Sequence, residues 1–247
     1  MPKEMKYIGK EMRRVDGVAK VTGAATYVAE FEVPGLTYAA VVQSTIARGT
    51  ITSIATDAAE RAGGVLKIFT HENTPQPVNN RGWRALGDNK IVFSGQPIAL
   101  VVAETFEQAR FAARLLDVKY AEEKPSTAVD TPGIAAAFAN PERRMPSPRG
   151  NPEAAMASAP VKISAEYTIP IEHHTPMEPH GGIAVWTGDK LKFYDKTQGV
   201  YSVRDHLAGL FGIPGESVEV VSHFVGGAFG SALRPNYYPW LTAMAAR

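Results

Sequence analysis

Between Ala39 and Glu122 the chain switches its hydrophobic period repeatedly, and this alternation limits the possible folds more than any other feature. β-Rich runs cover Ala39 to Ser44 and Val65 to Thr70. ATDAAERAGG between them reads as a short helix capped by Asp57 and stopped by Gly63-Gly64. KIVFSGQPIALVVAE holds two more strands with a turn at Ser94-Gly95. TFEQARFAARLL then carries a capping box, Thr105 with Gln108, and apolar residues at helical spacing (Phe106, Ala109, Ala113). DVKYAEE is another strand. Strands interleaved with helices predict mixed α and β structure around one sheet.

From Thr127 to Pro160 the character changes. RRMPSPRGNPEAAMASAP is rich in proline and nearly free of large apolar side chains, the composition of a linker or an extended surface crossing. VKISAEYTIP resumes β patterning, and GIAVWTGDKLKFYDKTQ reads as a hairpin turning at Gly188-Asp189. SVRDHLAGLFGIPG is a helix with Ser202 as N-cap, Gly212 at its end and Pro214 beyond. ESVEVVSHF is a strand, a glycine-rich loop follows, and NYYPWLTAMAAR begins a helix. The expected division is residues 1–142, a proline-rich linker over 143–160, and 161–247.

Composition excludes several classes. With 247 residues, 45% hydrophobic and 21% charged, the sequence is that of an ordinary soluble globular protein. A net charge of +1 implies no general attraction to nucleic acid or anionic lipid. The absence of cysteine removes disulfides, thiolate zinc sites, a cysteine nucleophile and iron–sulfur ligation by this chain. The N-terminus lacks a signal-peptide core, and runs such as PIALVVA are far too short to span a membrane. The expected location is the cytoplasm, with export alongside a signal-bearing partner subunit left open.

The loop HFVGGAFGS, His223 to Ser231, follows a strand directly, which usually means that the backbone approaches a phosphate or a metal-bound oxygen. It is neither a P-loop nor a dinucleotide fingerprint, since Gly230 is followed by Ser231-Ala232 and the spacing is Gly-Gly-x-x-Gly. The plain alternative is a tight strand-to-helix turn that needs positive φ. IEHHTPMEPHG concentrates three histidines and two glutamates, but Pro176 and Pro179 prevent the helical presentation of a His-Glu-x-x-His zinc site. Hydrogen-bonded structural histidines fit better. Gln198 closes a strand, where it is either a solvent-facing residue or a site residue according to its company. Ser231 lacks the nucleophile-elbow pattern of a serine hydrolase.

Taken together, RVDGVAKVTGAATYVAEF, GQPIALVVAETFEQARFAARLLDVKYAE, HHTPMEPHGGIAVW, YDKTQG and VGGAFGS resemble the large molybdenum-binding subunit of the xanthine dehydrogenase and aldehyde oxidase family. They occur in its order and rough spacing from about Ile8 to the last residue. The resemblance implies an α+β fold: an α/β hammerhead domain followed by the beginning of a molybdopterin-binding domain. It implies that Gln198 approaches the molybdenum's oxo ligand, with Gly199 as a cofactor contact beside it. Phe229 and Gly230 match residues whose backbone lies against the molybdenum centre, and Gly226 and Gly227 permit that approach. An amide and backbone N–H groups can donate to metal-bound oxygens without adding charge.

Two departures bear on function. Ala232 stands where many relatives have lysine. Leu233 stands where purine-oxidising members have glutamate, which implies an apolar substrate pocket favouring an aldehyde or aromatic heterocycle over xanthine. The resemblance further implies molybdopterin, expected as the cytosine dinucleotide, and [2Fe-2S] and FAD on partner iron–sulfur and FAD subunits. It places the catalytic glutamate in a C-terminal part of the subunit outside this sequence, a role not to be given to Glu172 or Glu178. The expected reaction inserts water-derived oxygen into a C–H bond, and the chain alone is expected to be inactive, with Tyr237, Trp240, Leu241 and Met244 left unburied. The rival reading is a non-catalytic binding or assembly module with the hammerhead fold.

Overall fold

The computed structural model describes residues 5–79, 84–128 and 149–247. The chain divides into two compact units, one made of Met1–Glu123 with His174–Arg247 and the other of Lys124–His173. Within the first unit, strands β1 (Tyr38–Gln43), β5 (Pro97–Ala103) and β3 (Val65–Thr70) form an antiparallel sheet in the order β1-β5-β3. A second antiparallel sheet runs β4 (Lys90–Ile91), β2 (Gly49–Ala55), β6 (Asp117–Glu122). The sequence pattern does not disclose β2. Thr50, Thr52 and Ser53 leave only Ile51 and Ile54 as large apolar residues, three apart, and a register irregularity between Ile51 and Ser53 breaks the two-residue period.

β5 is buried along its whole length, so its two faces serve two cores. Val101 packs with Ile68, Ala59 of α2 (Asp57–Glu60) and Ala112 of α3 (Phe106–Ala113). Leu100 and Val102 face the opposite way, onto the C-terminal helix described below. α3 begins as its capping box dictates: Thr105 Oγ1 accepts from Gln108 N at 3.2 Å, and Gln108 Oε1 accepts from Thr105 N at 3.0 Å. The cap of α2 differs from expectation. Thr56 is its N-cap and Asp57 its first helical residue. A further short helix, α1, spans Gly17–Val21.

In the second half, β7 (Gly182–Thr187) and β8 (Lys190–Asp195) form a hairpin in which Thr187 pairs with Lys190 across Gly188-Asp189. β8 then pairs in parallel with β9 (Val218–Val221), the crossover being the helix Val200–Phe211. That helix, α5 in chain order, starts at Gly199 as N-cap rather than at Ser202, which lies in its first turn. It ends at Gly212, whose φ of 65° is the left-handed value a glycine C-cap supplies.

The last helix, α6 (Tyr238–Ala245), corrects the expectation of an exposed apolar surface. Trp240, Leu241 and Met244 are buried with Leu86, Leu100, Val102 and Leu210. Trp186 Nε1 donates to Ala243 O at 2.9 Å, fixing α6 to β7. The helix finds its partners in β5 and α5, contacts that the local sequence does not disclose.

The expected linker lies partly outside the described residues, over 143–148. Of the remainder, Pro152–Ser158 is a helix (α4) rather than extended chain, because Asn151 caps it with Oδ1 accepting from Ala154 N at 3.0 Å and proline occupies its first turn. Residues 161–170, expected as β structure, carry no strand.

Candidate functional site

Parallel pairing sets Tyr194 of β8 opposite Val221 of β9, so both strands end at the same edge of the sheet. The segment from Asp195 to Gly199 leaves one strand end and the glycine loop leaves the other. Ligand sites in sheets with helical crossovers gather at such carboxyl ends.

Hydrogen bonds join the two segments. Gln198 N donates to Ala232 O at 2.9 Å and Thr197 Oγ1 to the same carbonyl at 3.2 Å. Gly199 N donates back to Thr197 Oγ1 at 3.0 Å. Gly230 N donates to the side-chain Oε1 of Gln198 at 3.1 Å, which leaves the Gln198 amide N–H groups as donors toward solvent. A Cβ on Gly199 would sit 3.0 Å from Leu233 O, so Gly199 and Leu233 are immediate neighbours. Of the expected site residues, Gln198, Gly199, Gly230 and Leu233 are thus brought together.

The loop itself is held in an uncommon conformation. Gly227 and Gly230 have φ of 94° and 98°, which glycine adopts without strain. Phe229 between them has φ of 53° although it carries a side chain, and that residue is 73% exposed. A left-handed non-glycine residue costs about 1–2 kcal/mol and persists only where its surroundings impose it. A Cβ on Gly230 would meet nothing nearer than His174 Nε2 at 3.9 Å, so the space in front of this backbone is open.

Glu178 imposes the geometry of the near limb. Its Oε2 accepts from Gly226 N at 2.6 Å, its Oε1 from Val28 N at 3.3 Å, and its own N–H donates to Gly226 O at 3.0 Å. A Cβ at Gly226 would lie 2.6 Å from Glu178 Cβ, so the position admits only glycine. Both carboxylate oxygens are engaged by backbone amides, which gives Glu178 a holding role.

Beneath the site lies a buried polar layer that sequence reasoning missed. Leu191, Phe193 and Asp195 share the inward face of β8, as the two-residue period dictates, so the strand's last inward position is a carboxylate. Lys196 and Thr197 after it are also buried. Tyr238 of α6 donates its hydroxyl to Asp195 Oδ1 at 2.6 Å. Burial pushes the Asp195 carboxyl up to about 6, with the Tyr238 hydrogen bond opposing. Burial, then the Asp195 charge, raises the Tyr238 phenol, and burial lowers the Lys196 ammonium against the pull of Glu178 and Asp195. Burial and the Lys196 charge lower His180. The only sequence signal for this layer was a charged pair at the end of an apolar strand, which reads equally well as a solvated turn.

Among the described residues no group of three or more His, Asp or Glu is placed to hold a metal ion. The groups around the open space include a carboxamide, loop backbone and the His174 imidazole. Such a set suits an anionic group that brings its own metal ligands.

The a/b hammerhead domain of aldehyde oxidase and xanthine dehydrogenase matches residues 22–124, and the molybdopterin cofactor-binding domain matches residues 137–247. The aldehyde oxidoreductase molybdenum-binding subunit PaoC of Escherichia coli K12 is 39% identical over 248 residues, covering 99% of this chain and 34% of that protein. A probable xanthine dehydrogenase subunit of Bacillus subtilis is 31% identical, covering 95% of this chain and 33% of that protein. The solved quinoline 2-oxidoreductase of Pseudomonas putida 86 superimposes with a TM-score of 0.82 at 24% identity, over 99% of this chain and 34% of that one. The chain therefore spans about a third of the length of the curated relatives it matches.

Proposed function

Because the chain belongs to the aldehyde oxidase and xanthine dehydrogenase family, we propose that it forms the N-terminal part of a molybdenum hydroxylase large subunit and supplies one wall of its cofactor site. The observation that carries this reading is the meeting of Gln198 with the strained Phe229–Gly230 backbone at adjoining ends of two parallel strands. Molybdopterin, as the cytosine dinucleotide, would supply the redox chemistry, and iron–sulfur and FAD partner chains would carry the electrons away. The complete enzyme would oxidise aldehydes or aromatic heterocycles with oxygen derived from water.

The residues of this chain hold and orient. The Gln198 amide, its acceptor satisfied by Gly230 N, directs its N–H groups at anionic oxygens of the cofactor. Gly199, Gly227 and Gly230 keep the backbone bare so that it can come close, and the Phe229 backbone lies between them in a fixed left-handed turn. Leu233, beside Gly199, offers an apolar surface to the substrate. Glu178, bound to backbone amides, holds the loop. By resemblance to the family, the general base lies in the remainder of the subunit.

One wall leaves most of the cofactor's polar surface in water, with little binding free energy to offset its immobilisation. Molybdenum analysis tests the reading. The chain alone should contain none and show no aldehyde oxidation, and co-production with the remainder of the subunit should restore both. Stoichiometric molybdenum in the isolated chain would overturn the proposal.

A further inference from the structure

The segment Val161 to Glu172 has a two-residue period that no strand among the described residues uses. Val161, Ile163, Tyr167, Ile169 and Ile171 occupy odd positions and are 76–88% exposed, with Ala165 completing the row. Even positions hold Lys162, Ser164, Glu166, Thr168, Pro170 and Glu172. This is the pattern of a strand with one face on a core. Yet the segment belongs to no strand or helix and makes no backbone–backbone hydrogen bond among the described residues. Five large apolar side chains in one row, all in water, mark an interaction surface.

The prolines give the surface a direction. In a strand the N–H groups of even and odd residues point to opposite edges. Pro160 and Pro170 are both even, so the even edge lacks a donor at each end, while Val161, Ile163, Ala165, Tyr167, Ile169 and Ile171 present a complete row on the odd edge. We propose that residues 161–171 are an edge strand that pairs through its odd-numbered N–H groups with a sheet in the remaining two-thirds of the molybdenum subunit. This rests on the reading above that the chain works within such a subunit.

A second copy of the chain fits the surface poorly. Two such segments paired with each other would make a two-stranded ribbon whose apolar rows still faced water, an arrangement of marginal stability. The occupant must offer both a strand edge and a layer over the apolar face. The relatives carry about twice as much further chain as they share with this one, enough for such a layered sheet.

Amide exchange decides the matter. The chain, labelled with 15N at isoleucine and lysine, is compared alone and in complex with the remainder of the subunit. In the complex the Ile163 and Ile169 amides should slow by about a hundredfold or more, as paired strand amides do, while Lys162 stays fast. Ala165→Pro, on the bonded edge, should weaken association about tenfold, and Ser164→Pro, on the other edge, should leave it nearly unchanged. A molybdenum-loaded complex with unprotected Ile163 and Ile169 overturns the strand and leaves the enzyme reading standing. Equal protection of Lys162 overturns the assignment of the edge. Protection that grows with the concentration of the chain alone replaces the remainder by a second copy. Failure of the two parts to associate removes the enzyme reading and the strand with it.

Discussion

Asp195→Asn probes the packing beneath the site. Asp195 is fully buried, its Oδ1 accepts from the Tyr238 hydroxyl at 2.6 Å, and its Oδ2 has no partner among the described residues. Burial lifts its carboxyl from an ordinary 3.8 to about 6. The folded state therefore holds this proton more tightly than the unfolded chain does. The stabilisation is fully present below pH about 4 and is lost as pH rises through about 6. A rise of about two pH units, at about 1.4 kcal/mol each, makes the loss about 3 kcal/mol. Asparagine imitates the protonated acid at every pH, keeping an acceptor for Tyr238. Urea unfolding of both proteins from pH 4 to 7.5 should show wild type losing about 3 kcal/mol relative to the variant, equivalent to roughly 6–12 °C in melting temperature. A difference independent of pH, or a wild type that gains on the variant as pH rises, would refute the argument. The second outcome would mean that Lys196 stabilises the carboxylate more than burial disfavours it.

Glu178→Ala removes the acceptor for Gly226 N and Val28 N and should cost about 2–4 kcal/mol in urea unfolding, with Glu178→Gln retaining about half of the stabilisation. A loss below about 0.5 kcal/mol would show that the loop holds its shape without the carboxylate. Leu241→Ala, in the core between α6 and β5, should cost about 2–5 kcal/mol by the same measurement, whereas an exposed helix would register almost nothing. In a reconstituted subunit an aromatic aldehyde should be turned over at least about tenfold faster than xanthine, because Leu233 offers no hydrogen bond to a purine. Equal turnover would remove Leu233 from the argument on specificity.

Much of the second half could be read from the sequence because its determinants are close along the chain. Gly188-Asp189 between two alternating runs makes the β7–β8 hairpin, and Gly212 ends α5 where a glycine adopts the required φ without strain. A strand, a helix and a second strand imply a parallel pair, so Gln198 and the glycine loop had to leave the sheet at one edge. The capping box at Thr105 and Gln108 was likewise local.

Tertiary structure decided what depends on residues far apart. Glu178 is a loop residue among histidines until Gly226 and Val28, 48 and 150 positions away, bring their N–H groups to it. Asp195 and Lys196 look like a solvated turn until α6 closes over them and places Tyr238 on the carboxylate. The same closure buries Trp240, Leu241 and Met244, since an apolar helix face says that it will pack but not against what. β2 and residues 161–171 show how little a local pattern decides about pairing. A strand becomes a strand only when neighbouring backbone supplies its hydrogen bonds: β4 and β6 supply them to β2, and nothing among the described residues supplies them to 161–171.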